Sequence, residues 1–354
     1  MDTDAKKRLW IFIAIAYGMV AFMSIFMFIG LKRGYDLTSF VDTQMMYPAC
    51  GVILGKILVK KEDEKLPMAG YITVLITTAI MIVISLLSVF IHFEPVDMAG
   101  QQIDMWGLVI QAPLILGSIV AYTFFWTCGK ESRQKNGLAR NNIKMSIILV
   151  AVFIALFIGR VAMNITLTDL SNGDHSVWES VKSSFSNIGV LINLVMLPIN
   201  FFCVWIAFFG EEYGWRYYLQ PVMQNKFGKR LGVLLLGLVW AVWHLDADFM
   251  FYTTTDGPKI FISQIITCVV MAIFFGYAFM KTNNIWVPVI MHYLNNNIAA
   301  LLAGGGADAL QNQTMEWSDI PKAALTSIMF ALFILMPIYN ANKEKKEEPA
   351  LSED

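Results

Sequence analysis

Apolar runs of about 20 residues recur along almost the whole chain, and no other feature constrains it more. A run of that length crosses a ~30 Å hydrocarbon core as a helix. Helices are favoured there because all their backbone hydrogen bonds close within the segment. Ten such runs lie near 9–31, 43–59, 67–92, 105–128, 145–163, 188–210, 231–250, 260–280, 285–303 and 322–340. Of the 354 residues, 57% are hydrophobic and only 15% charged. Soluble domains carry about 25% charged residues. These properties predict an all-α polytopic membrane protein of about ten transmembrane helices in the cell membrane, with lipid as its surroundings. The formal net charge of −1 offers no basis for a nucleic-acid partner.

The charges between the runs predict orientation. With the N-terminus in the cytoplasm, the outer side holds only Lys32, Arg33, Arg160, Lys182, Lys259 and Lys322 of the 26 basic residues. The other twenty fall on the cytoplasmic side, a bias that places both termini there. The first run ends in Lys32-Arg33, without a small-residue cleavage site, and reads as a retained span. Cys50, Cys128, Cys203 and Cys268 are far apart and read as buried thiols rather than a disulfide or zinc framework. The chain divides into a four-span accessory region, 1–144, a catalytic membrane core, 145–340, and a charged disordered tail, 341–354. No internal repeat points to a transporter of paired halves. The outer segment from Val177 onward reads as a short interfacial helix.

Ionisable groups inside the runs are the candidates for chemistry, because burying them in a bilayer is costly. His92 and His175 sit at the outer edge and in a loop, whereas His244 and His292 lie inside apolar runs. His244 is 14 residues beyond Arg230 and His292 is 11 beyond Lys281, roughly 21 Å and 16 Å of helix. Glu211 and Glu212 end another run, in the stretch FFGEEYGWRYYLQP, where Pro221 is expected to end or kink the helix. Glu212 and Arg216 are four apart and can pair on one face, which leaves Glu211 free. His292 and Asn296, and likewise Trp240 and His244, also share a face. A carboxylate and two imidazoles at similar depth on three spans suit general-base chemistry on water.

These residues resemble the signature of the CAAX protease and bacteriocin-processing family, also called the Abi family. Its E-E-x-x-x-R is matched at Glu211, Glu212 and Arg216, and its H-x-x-x-N at His292 and Asn296. Its F-x-x-x-H is matched at His244, with Trp240 in place of phenylalanine. The W-H-L-P common in bacterial members reads Trp243-His244-Leu245-Asp246, and the glycine after the arginine is Tyr217. The resemblance runs from Ala207 to about Gly304 and leaves the first four spans outside it.

The resemblance implies an intramembrane endopeptidase built as a conical helical bundle, with a cavity open to the cytoplasm or the bilayer. Glu211 and His244 would activate water, His292 and Asn296 would hold the oxyanion, and Glu212, Arg216 and Trp240 would order the site. Glu211, His244 and His292 form a donor set for zinc with one position left for water. The H-E-x-x-H pattern is missing, and the favoured expectation is a glutamate base with no cofactor. The expected substrate is a membrane-tethered peptide or protein. The alternative is a non-catalytic immunity or regulatory protein of the same fold.

Overall fold

A computed structural model describes residues 2–98, 101–186, 188–302 and 310–340, and the expected charged tail, 341–354, lies outside these. The chain is almost entirely helical. The first pass across the bundle is α1 (Thr3–Ala16) and α2 (Gly18–Arg33), and the return is α3 (Thr38–Gln44) and α4 (Tyr47–Leu58). Next come α5 (Met68–Phe90), a two-stranded ribbon pairing Val96 with Ile103, α6 (Met105–Val109), α7 (Gln111–Thr127) and α8 (Lys130–Lys135). The long α9 (Ile143–Asn172) leads to α10 (Ser176–Phe185), an exposed helix where the sequence suggests an interfacial one. The core continues with α11 (Ile188–Glu212), a π-helical segment (Tyr213–Leu219) and α12 (Gln220–Phe227). It closes with α13 (Lys229–Trp243), α14 (Leu245–Met250), α15 (Gly257–Thr282), α16 (Trp286–Leu302) and α17 (Asp319–Ala331).

The structure bears out a polytopic helical protein and, of the about ten expected transmembrane helices, six by length and composition. Among the described residues, six helical stretches are long and apolar enough to cross a membrane: Thr3–Arg33, Met68–Phe90, Met105–Thr127, Ile143–Asn172, Ile188–Phe227 and Gly257–Thr282. The runs at 43–59, 231–250, 285–303 and 322–340 instead contain helices of 12, 15, 17 and 13 residues. At 1.5 Å per residue these are roughly 18–26 Å long. Apolar composition continues through a break at Met45–Met46 and a turn at His244, so a run of composition overstates the length of unbroken helix.

Burial on α5 shows why this is a membrane fold. Ile72, Ile76, Ile80, Val83 and Leu87 lie exposed along one face at helical spacing. The opposite, buried face carries Thr78 and Ser85, whose hydroxyls meet Cys50 at 3.2 Å and Thr43 at 2.9 Å. Apolar outside and polar contacts between helices inside is the reverse of a soluble core. The four cysteines are free, as the sequence implies, but only Cys50 and Cys268 are buried; Cys128 and Cys203 are partly exposed.

The connections sort into two opposed faces. The basal face gathers the N-terminus, 59–67, 128–142, 213–228 and the α15–α16 turn. There Arg8 forks onto Glu64 at 2.9 and 2.7 Å, Tyr217 reaches the Lys135 carbonyl, and Asn142 reaches the Thr282 carbonyl. The distal face gathers 34–37, 91–98, 101–104, 251–256 and 310–318. There Gln311 donates to Asp36, the Gln313 amide to Tyr252 and the Met315 amide to Asp256.

Candidate active site

The site sits where α11 gives way to the π-helical segment. Gly210 lies so close to the α3–α4 break that a β-carbon there would run into the Met45 carbonyl oxygen, and one on Gly214 would meet Pro48. Glycine at these two positions lets the α11 backbone lie directly on the N-terminal helices. The pair between them, Glu211 and Glu212, is thereby buried, Glu211 being 2% and Glu212 0% exposed. The π-helical turn ends at Leu219 and a new α-helical register begins at Gln220, with Pro221 near its start. Proline thus resets the helix where the sequence predicts an end or kink.

The two glutamates have separate partners. Glu211 Oε2 accepts from the Trp240 indole at 2.7 Å and from the Trp215 indole at 3.3 Å. Its Oε1 has no donor among the described residues, and Glu211 lines a cavity. Glu212 Oε1 accepts from His292 Nδ1 at 2.9 Å, and its Oε2 lies 2.9 Å from Arg216 Nε. That ion pair is close but poorly aligned for a hydrogen bond, and Arg216 Nη1 and Nη2 have no partner among the described residues. The guanidinium is held instead by rings, 4.5 Å from the Trp240 centroid and 5.5 Å from that of Phe275. Cation–π contact of this kind is strongest where water is excluded.

His244 occupies the turn between α13 and α14, with Nδ1 2.9 Å from the Trp240 carbonyl. A carbonyl only accepts, so the proton is assigned to Nδ1 and the lone pair to Nε2. His292 turns its Nε2 away from Glu212, between the rings of Phe208, Trp240 and Phe275. One turn on, Asn296 Oδ1 accepts from Asn295 at 3.0 Å, which leaves its amide N–H groups available.

Two cavities converge here. One, of about 280 Å³, is lined by Glu211, His244 and Asn296 together with Thr38, Asp42 and Gln111. The other, of about 240 Å³, is lined by Trp240, His244, His292 and Asn296 together with Ser263 and Gln313. His244, Tyr252, Asn296 and Leu310 are common to both. The arrangement can place a water molecule between two acceptors and a polarised carbonyl beside amide and imidazole donors.

A metal would draw on Glu211, His244 and His292 as its donors. Among the described residues no three side chains of His, Cys, Asp or Glu group to hold one. Glu211 Oε2 is held by two indoles and His292 Nδ1 by Glu212, which leaves Glu211 Oε1 and the two Nε2 atoms facing the cavities.

Several functional contacts were not read from the sequence. The resemblance marks Trp240 as ordering the site but does not reveal that its indole donates to Glu211, and Trp215, four residues beyond Glu211, is not marked at all. The N-terminal helices, left outside the motif region, grip the turn that carries His244. Trp243 donates to the Ala16 carbonyl at 2.9 Å and Tyr17 to the Val239 carbonyl at 2.7 Å. Gln44 donates to the Trp243 carbonyl and, at 3.0 Å, to Asp246, which also accepts from Ser24. Asp246, the departure from W-H-L-P, is therefore an anchor onto α2 and α3.

Fold and site together define a polytopic helical membrane protein with a carboxylate–histidine–asparagine centre buried between its helices. Residues 193–298 match the family model described as Rce1-like, type II CAAX prenyl endopeptidase, and the match takes in Glu211, Glu212, Arg216, His244, His292 and Asn296. Neither a curated protein nor a solved structure matches the chain.

Proposed function

We propose that the chain is an intramembrane endopeptidase that hydrolyses a peptide bond in a membrane-tethered polypeptide, with water activated by Glu211 and His244. The observation that carries this reading is the carboxylate of Glu211. One oxygen is clamped by two indoles, and the other is left on a cavity shared with His244 and Asn296. A carboxylate serving only packing needs no cavity, and one pairing a cation needs no indoles.

In the proposed reaction, Glu211 Oε1 takes one proton from water while His244 Nε2 accepts a hydrogen bond from the other O–H. The water oxygen bonds to the carbonyl carbon, and the carbonyl π-electrons move onto oxygen. Asn296 and a doubly protonated His292 donate to that oxyanion, the geometry that lowers such barriers most. When the oxyanion collapses, the C–N bond breaks. The proton held by Glu211 passes to the nitrogen, the remaining O–H proton of the new carboxyl group passes to His244 Nε2, and an amine and a carboxylate leave. With His292 charged, the formal charges of Glu211, Glu212, Arg216 and His292 sum to zero, as a water-poor site requires. Glu212, Arg216 and Trp240 act by positioning.

The proposed topology has ten crossings, six by the long helices and four by α4, α13, α16 and α17 with their flanking turns, and both termini in the cytoplasm. The basic residues gather on the basal face, consistent with this orientation. The test is cleavage of a panel of membrane-tethered peptides by the purified protein, followed by mass spectrometry, with and without a strong chelator. Cleavage indifferent to the chelator is expected. Abolition by chelator, restored by added zinc, would replace the glutamate-base route.

A further inference from the structure

The two cavities have a direction. From His244 and Asn296, the first rises past Asp42 to Thr38 and Gln111, and the second past Ser263 and Gln264 to Gln313. These outermost residues belong to the distal face, where Asp36 meets Gln311 and Asp256 meets Met315. Neither cavity is lined by any residue of 59–67, 128–142 or 213–228.

The other direction is plugged. Beneath Glu211 and Glu212 lie Tyr213, Trp215 and Arg216, all fully buried. Tyr213 donates to the Asn136 carbonyl and shares a hydrogen bond with Tyr71, while Lys56 donates to Asn136 at 2.9 Å and to Tyr217 at 2.8 Å. The rings of Trp286, Phe209, Tyr213 and Tyr217 stack in sequence, with centroid spacings of 5.8, 4.7 and 4.6 Å. A polypeptide arriving from the basal face would have to undo this network. One arriving from the distal face meets two cavities.

Resting on the peptidase reading and its orientation, we infer that the substrate is a membrane-anchored polypeptide whose cleavable segment lies on the extracytoplasmic side. The segment enters extended through the distal face, and the chain on either side of the cut bond occupies one cavity each. The basic residues mark the basal face as cytoplasmic, so the opening lies away from the cytoplasm. This differs from the opening toward cytoplasm or bilayer that the family resemblance implies. A cytosolic chain terminus has no path to Glu211 in this arrangement.

The test is accessibility in intact cells, which needs no turnover. In a background lacking the four native cysteines, Ser263→Cys and Ala300→Cys place one thiol in each cavity, and Lys135→Cys places one on the basal face. A small membrane-impermeant thiol reagent should label both cavity positions in intact cells, and Lys135→Cys only after permeabilisation. Labelling of the cavity thiols only after permeabilisation overturns the inference, as does labelling of Lys135→Cys in intact cells. Failure of the cavity thiols to react from either side, with denatured protein labelling normally, overturns it too, because the cavities would not open to water. Each of these outcomes leaves the peptidase reading to be judged separately by peptide cleavage.

Discussion

The Trp240 indole reaches across from α13 to donate to Glu211 Oε2 at 2.7 Å, while its ring covers the Arg216 guanidinium. One side chain thus orients the proposed base with its edge and shields the neighbouring cation with its face. Trp240→Phe keeps the ring and removes the donor. A hydrogen bond to a charged group contributes about 1.5–3 kcal/mol. Turnover should therefore fall about tenfold to a hundredfold, with little change in thermal stability. Trp215→Phe, losing the longer 3.3 Å contact, should reduce turnover less. Equal turnover in Trp240→Phe and wild type would show that the indole does not orient the carboxylate.

Arg216 and Glu212 are both wholly buried. Removing one partner of a buried pair typically costs about 3–5 kcal/mol, because the other charge is left uncompensated. Arg216→Ala also strips the cation from between Trp240 and Phe275. Its thermal unfolding in detergent should fall well below that of Glu211→Gln. Matching stabilities for these two variants would mean that the pair contributes nothing to the fold.

Gln44 is buried and spends its amide on the Trp243 carbonyl and on Asp246. Gln44→Leu leaves these acceptors short of a donor, for about 1–3 kcal/mol, and loosens the turn that carries His244. Both stability and turnover should drop, and Asp246→Asn, which keeps an acceptor oxygen for Gln44, should lose less than Gln44→Leu. A Gln44→Leu protein with wild-type turnover would confine the N-terminal helices to a scaffolding role away from the site.

How much of this was legible in the sequence depends on the kind of information it carries. Residue counting from Arg230 and Lys281 put His244 and His292 at comparable depth, and both now line one cavity. The four-residue spacing also anticipated the contact of Glu212 with Arg216. Counting gives depth but not azimuth, so it could not say that Glu212 also faces His292 or that Glu211 faces two indoles. Nor could it show that Gly210 and Gly214 let α3 and α4 press on the site, since close approach is a property of two segments at once. The short α4, α13, α16 and α17 escaped because hydropathy persists where the helix breaks.

On the basal face, Glu64 offers a pH-dependent contact. Burial alone would raise its pKa, but the Arg8 fork and nearby Lys56 outweigh this and hold it below the usual 4.5. A carboxylate with a depressed folded pKa stabilises the protein above its unfolded value, and that contribution fades as pH falls through the folded one. Thermal stability of the wild type should decline as pH drops below about 4.5. Glu64→Gln should be less stable at neutral pH and show a shallower acid decline. Parallel curves for the two proteins would remove Glu64 from the acid response.

The central claim is that Glu211 is the base, and Glu211→Gln tests it most directly. The amide keeps the shape and an acceptor oxygen for the Trp240 indole but cannot take a proton from water. Purified wild-type and variant proteins, matched for thermal unfolding, should be given the same cleavable membrane-tethered peptide and their turnover compared by mass spectrometry. The account predicts cleavage by the wild type and none above background by Glu211→Gln, with Asn296→Ala reduced by roughly 10²–10³, as for a lost oxyanion donor. Full activity in a folded Glu211→Gln protein would contradict it.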